Sequence, residues 1–109
     1  MKYLMSQEEF EQLIGRQPLP EGETLPPFTV IYFTATWCGA CRRLNIPELE
    51  EAFPQVNWLK CDVDQNNYTP GYCGVKSIPT FLIVKDKVIV GPFSSNSNDK
   101  VKEWITSNL

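Results

Sequence analysis

Two cysteines with two residues between them, Cys38-Gly39-Ala40-Cys41, are the side chains whose type and spacing most directly suggest chemistry. Such a pair can close a small disulfide ring or supply half of a metal site. Zinc ribbons usually repeat the pair, and the remaining cysteines, Cys61 and Cys73, have eleven residues between them and no histidine to complete a set. No metal is therefore expected. The pair follows Phe28–Ala35 (FTVIYFTA), a stretch of β-branched and aromatic residues that reads as a strand buried on both faces. A helix is expected to begin just past Cys38, where free amides and the helix dipole favour a negative charge. The thiolate is the nucleophile in thiol–disulfide exchange, so this position predicts an activated Cys38. Cys41, one turn further in, is expected to be the more buried thiol and to attack the mixed disulfide formed at Cys38. Arg42 and Arg43 adjoin the pair and read as solvated helix residues.

A second signal is Ile78-Pro79-Thr80-Phe81, with Pro79 forty-one residues past Cys38. An X-Pro bond at the start of a strand is a natural place for a cis peptide. Proline there donates no hydrogen bond, which leaves the preceding backbone free to pair with an extended substrate segment.

The elements that would position these residues can be read in order. Lys2–Met5 predicts a short strand. Ser6 and Glu9 form a capping box for a helix that turns Phe10, Leu13 and Ile14 to one face and ends at Gly15. Four prolines and Gly22 make residues 16–27 a rigid loop. Past the central strand, Pro47 should bend the next helix or restart it near Ile46. Val56–Val63 predicts a strand and residues 66–73 a short irregular helix. Thr80–Lys85 and Val88–Phe93, separated only by Asp86 and Lys87, predict a tight antiparallel hairpin. Ser97 or Asn96 caps a last helix with Val101, Trp104 and Ile105 turned inward. The order implies an α/β architecture, a mixed sheet covered by helices on both sides.

Composition narrows the function classes. At 109 residues one domain, 1–109, is expected, and 42% hydrophobic with 21% charged residues is ordinary for a globular chain. A net charge of −3 argues against nucleic-acid binding, which needs a basic face. The absence of histidine removes Cys–His and other histidine-based catalysis. Glu8, Glu9 and Glu11 follow the first apolar residues at once, unlike a signal peptide, and no run approaches the ~18 apolar residues of a membrane span. A cytoplasmic protein is expected, in which four cysteines are unsuited to structural bridges.

TATWCGAC, LKCDVDQN and VKSIPTFLIVKD resemble the corresponding stretches of thioredoxins, in order and over nearly the whole chain. The resemblance implies the thioredoxin fold, a mixed sheet of about five strands flanked by about four helices. It also implies a protein thiol–disulfide oxidoreductase that reduces substrate disulfides. It makes Cys38 the attacking thiol and Cys41 the resolving one, with Gly39 and Ala40 between them. Trp37 belongs to an apolar docking surface, and Ile78 and a cis Pro79 bind substrate. No cofactor would be bound; electrons would come from NADPH through a thioredoxin reductase, and the protein would act on disulfide-containing proteins as a monomer.

The chain also departs from that pattern. Ala40 replaces the proline usual between the cysteines, which predicts a more oxidising pair. Tyr32 replaces a buried acid six residues before Cys38, either filling core space or bonding toward Cys41, and predicts slow turnover. Lys60, the usual companion of that acid, is left without its anion and should reach water or titrate low. Ser95 stands for a glycine opposite the site and would narrow the cleft. Cys61 reads as a small core hydrophobe and Cys73 as a candidate regulatory or dimer-forming thiol. An oxidant or isomerase, and a redox-sensitive binding module, are the competing functions.

Overall fold

The computed structural model describes residues 1–109. Its elements are strand β1 (Lys2–Tyr3), helix α1 (Gln7–Leu13), β2 (Phe28–Thr34), a 3-10 turn (Ala40–Arg43), α2 (Ile46–Ala52), β3 (Asn57–Asp62), α3 (Tyr68–Cys73), β4 (Thr80–Lys85), β5 (Val88–Ser94) and α4 (Asn98–Asn108). The strands form one sheet in the order β1-β3-β2-β4-β5. β3 runs parallel to β1 and β2, while β4 is antiparallel to β2 and β5.

β2 lies at the centre because all seven of its residues can be buried. The two-residue side-chain period then sends alternate residues to opposite faces. Phe28, Val30 and Tyr32 enter one apolar cluster with Leu49, Phe53, Trp58, Phe81, Val101 and Ile105. Ile31 and Phe33 enter the other with Phe10, Leu13, Leu59, Cys61, Leu82 and Val84. Helices α2 and α4 cover the first face, and α1 and α3 the second.

Local chemistry sets the boundaries. The Ser6 side chain accepts from the Glu9 amide at the start of α1, and Ser97 accepts from Lys100 at the start of α4. The β4–β5 hairpin turns on Asp86 (φ 50°) and Lys87 (φ 69°), two left-handed residues as a tight primed turn requires.

The helix expected just past Cys38 is only a single 3-10 turn, and the restart expected near Ile46 is observed: Leu44 is extended, and a seven-residue α2 starts at Ile46. Pro47 explains the break: it has no N–H for the Arg43 carbonyl, and its ring would collide with that carbonyl in a continuous helix. Asn45 occupies the gap, its side chain accepting from Glu48 N at 3.1 Å. Asn98 of α4 holds Asn45 at both ends, accepting from its amide at 3.0 Å and donating to its carbonyl at 2.9 Å.

Candidate active site

The chain leaves β2 at Thr34, and Cys38 N donates to Ala35 O at 3.1 Å, closing a turn that delivers the cysteines to one end of the sheet. Cys38 and Cys41 are joined in a disulfide with their Cα atoms 5.4 Å apart. The Cys41 amide donates to Cys38 Sγ at 3.1 Å. This contact replaces the long-helix dipole anticipated for Cys38: α2 begins eight positions downstream, too far for an effect confined to the first turn. Partial positive charge from the Cys41 peptide is directed at Cys38 Sγ.

The two cysteines are buried alike. Cys38 is 5% exposed and Cys41 8%, so both pack into the α2/α4-face cluster with Ala35 and Tyr32. The tight turn folds Cys38 back over the Cys41 amide rather than projecting it outward. Trp37 is the residue that projects, at 65% exposed. Its indole N–H donates to Asp64 Oδ2 at 2.7 Å, and Asp64 is held in turn by its own amide donating to the buried Asp62 Oδ1 at 2.9 Å. Neither aspartate was singled out in the sequence; LKCDVDQN carries them, but only the turn after β3 shows that they orient Trp37.

Trp37 and Ile78 share a cavity of about 540 Å³ with Val63, Pro70, Val75 and Ser77 among its walls. The Ile78–Pro79 bond is cis, and Pro79 is buried at the entrance to β4. Ile78 also packs against the cluster that holds both cysteines. The disulfide, the indole and the cis-proline segment therefore meet on one surface, although they lie far apart in the chain.

The remaining candidates separate. Tyr32 is 3% exposed and stacks on Phe81 with ring centroids 5.1 Å apart. Burial raises its phenol above the ordinary value, with a hydrogen bond to Thr34 pulling the other way. It fills core space beside the cysteines. Lys60, half-buried, reaches across to β1 and sets its ammonium over the Tyr3 ring at 5.5 Å. Ser95 is displaced as a cleft residue, because its hydroxyl accepts from Ser97 N at 3.1 Å and belongs to the approach to α4. Its neighbour Ser94, the last residue of β5, faces the cis-proline segment, with Oγ 3.3 Å from Ser77 Oγ and 2.7 Å from Thr80 Oγ1. The strand's two-residue alternation makes a one-position difference decisive.

Cys61 and Cys73 belong to the opposite face. Cys61 is fully buried in β3 and donates to Asn66 O at 3.6 Å; Cys73 ends α3 and is half-buried against the same cluster. Burial pushes both thiols up to about 12. No group of three or more His, Cys, Asp or Glu side chains is arranged to hold a metal ion, and no helix is long and apolar enough to cross a membrane.

Comparison with known proteins matches the Thioredoxin family model to residues 4–107. The chain belongs to the thioredoxin family. The structure of Fasciola hepatica thioredoxin superposes with a TM-score of 0.82 at 32% identity, covering 100% of both chains. A chain from the structural study of the thiol-resolving mechanism of yeast mitochondrial 1-Cys peroxiredoxin, via the glutathione/thioredoxin systems, also superposes at 0.82. That match has 28% identity and covers 98% of this chain and 94% of that one. Mitochondrial thioredoxin-3 of Saccharomyces cerevisiae is 41% identical over 64 residues, 57% of this chain and half of that protein's length. The five-stranded mixed sheet with four helices is the thioredoxin fold, and with its Cys38–Cys41 disulfide this domain is a thiol–disulfide oxidoreductase.

Proposed function

We propose that the protein reduces disulfides in other proteins, with Cys38 as nucleophile and Cys41 as resolving thiol. The Cys38 thiolate attacks one sulfur of the substrate disulfide; a Cys38–substrate bond forms and the other substrate sulfur leaves as a thiolate. Cys41, once deprotonated, attacks Cys38 Sγ, closes the Cys38–Cys41 disulfide and expels the second substrate thiolate. Two electrons pass from the dithiol to the substrate, whose two sulfurs take up protons. The observation that carries the reading is the Cys38–Cys41 disulfide with the Cys41 amide on Cys38 Sγ, beside exposed Trp37. A negative charge on Cys38 is met by that donor before it attacks, and in the second step the group that leaves is the substrate thiolate.

Trp37, Ile78 and Pro79 are the docking residues in this reading, and their shared cavity accommodates a side chain flanking the substrate cysteine. Gly39 and Ala40 shape the turn. The reaction proceeds without a bound cofactor; the disulfide is returned to the dithiol by an NADPH-dependent reductase of the thioredoxin reductase class. The reading assigns the protein to a reducing compartment, the cytoplasm, as a monomeric electron carrier, and the two free thiols Cys61 and Cys73 suit that setting.

The test couples the protein to NADPH, a thioredoxin reductase and insulin. NADPH oxidation that requires Cys38 and is accompanied by insulin precipitation is the expected result. A protein that takes no electrons from the reductase, but oxidises reduced peptides in a glutathione buffer, would reverse the direction proposed.

A further inference from the structure

Three hydroxyl groups meet behind the docking segment, and their protons can be assigned by counting. Thr80 Oγ1 donates to the Ser77 carbonyl at 2.6 Å, which uses its only proton. The 2.7 Å contact between Thr80 and Ser94 must then run from the Ser94 hydroxyl to Thr80 Oγ1. With the Ser94 proton committed, the 3.3 Å contact between Ser94 and Ser77 must run from the Ser77 hydroxyl to Ser94 Oγ. The chain therefore starts on the side chain of Ser77, passes through Ser94 and Thr80, and returns to the carbonyl of Ser77. All donors point the same way around, the arrangement in which each bond polarises the next.

We infer that Ser94 is a positioning residue for substrate docking: it ties the end of β5 to Ser77 and so holds the backbone leading into Ile78–Pro79 in one geometry before substrate arrives. The inference rests on the proposed docking role of Ile78 and Pro79. Thr80 is buried and anchored in β4, so it is the fixed point of the ring. Ser77 is exposed and lies outside any regular element, so it is the part that needs holding. Ser94 is the only link contributed by a different strand, and its removal breaks two of the three bonds. A docking segment ordered in advance loses less conformational freedom on binding, which favours extended protein substrates that pair along the backbone. A small disulfide that touches only the sulfur gains little from it.

The experiment compares Ser94→Ala and Ser94→Thr with the parent chain on insulin and on 5,5′-dithiobis(2-nitrobenzoate), together with backbone NMR order parameters at the Ser77 and Ile78 amides. Ser94→Ala should lower the ratio of kcat/KM for insulin to that for the small disulfide about fivefold, through KM, on the scale of one lost hydrogen bond. Order parameters at the two amides should fall, and Ser94→Thr, which keeps the hydroxyl, should restore both. An unchanged ratio, a loss confined to kcat, or no rescue by threonine would overturn the inference. Should the parent chain reduce neither substrate, the proposed function fails while the order parameters still decide whether Ser94 holds the segment.

Discussion

The molecule holds two kinds of cysteine, and the contrast between them separates what a thiol needs to react from what it needs to be buried. Cys38 and Cys41 share a disulfide in a tight turn, with a peptide N–H aimed at one sulfur and an exposed indole beside it. Cys61 and Cys73 lie on the opposite face of the sheet among Leu4, Phe10, Leu59 and Leu82, where apolar surroundings penalise the thiolate and hold both thiols protonated to about pH 12. Burial alone does not distinguish the pairs, since Cys38 is 5% exposed and Cys61 0%. The difference is the polar environment each sulfur meets: Cys38 accepts from an amide, whereas Cys61 donates to a carbonyl. A donor stabilises the thiolate and an acceptor opposes it.

The largest effect expected from this contrast is on turnover. Cys38→Ser should lower insulin reduction by about 10³-fold or more, as loss of a nucleophile does. Cys61→Val and Cys73→Ala should each leave it within about twofold, because neither thiolate forms near neutral pH. Coupled NADPH oxidation reads all three, and a Cys61 or Cys73 variant as impaired as Cys38→Ser would erase the distinction between the pairs.

Next in size is a stability effect above neutral pH. In the unfolded chain Cys61 ionises near its ordinary value of 9.0, while in the fold its value is pushed up to about 12. Between those limits the unfolded state binds fewer protons, so stability falls as pH rises, by roughly 1–2 kcal/mol at pH 10 from this thiol alone. Denaturant titrations at pH 7 and pH 10 should show the loss, and Cys61→Val, close in volume, should remove the Cys61 share and leave that of Cys73. A variant that falls as steeply as the parent chain would show that Cys61 is not held protonated by its surroundings.

The smallest effect sharpens the comparison within the reactive pair. Ala40 leaves the turn less rigid than the proline common in the family would, so Ala40→Pro should make the potential more negative, on the order of 10–30 mV. Equilibration with glutathione measures it. A shift in the positive direction would contradict the link between rigidity at position 40 and reducing power.

Much of this arrangement was legible in the residues. The Thr80–Lys85 strand, the turn at Asp86–Lys87 and the Ser6 cap appear where their local chemistry predicts, because each is decided by a few adjacent residues. The reactive pair was legible because both cysteines sit within four positions between a buried strand and a turn. Long-range geometry was harder to read. Pro47 announces the break at Leu44–Asn45, but not that Asn98, fifty-three residues away, bonds both backbone groups of Asn45. Ser94 rather than Ser95 faces the site because of strand register, and an irregularity in the β4–β5 pairing between Phe81 and Ile83 accompanies Gly91 and a second cis proline, Pro92. Gly91 adopts φ +111°, and a Cβ there would lie 3.2 Å from the Trp104 ring, a crowding no local pattern announces. Lys60 was expected to reach water or titrate low, and the face of Tyr3 that takes its ammonium is a partner no local pattern names.

The central claim is that the turn itself, through the Cys41 amide, makes Cys38 the reactive thiol. The most direct measurement is the pH dependence of iodoacetamide alkylation of the fully reduced protein, resolved by cysteine with mass spectrometry. Cys38 should react first, with a midpoint clearly below the ~8.5 of free cysteine, while Cys61 and Cys73 stay unmodified through neutral pH. A Cys38 midpoint at or above that of free cysteine, with a rate no greater than those of Cys61 and Cys73, would contradict the account.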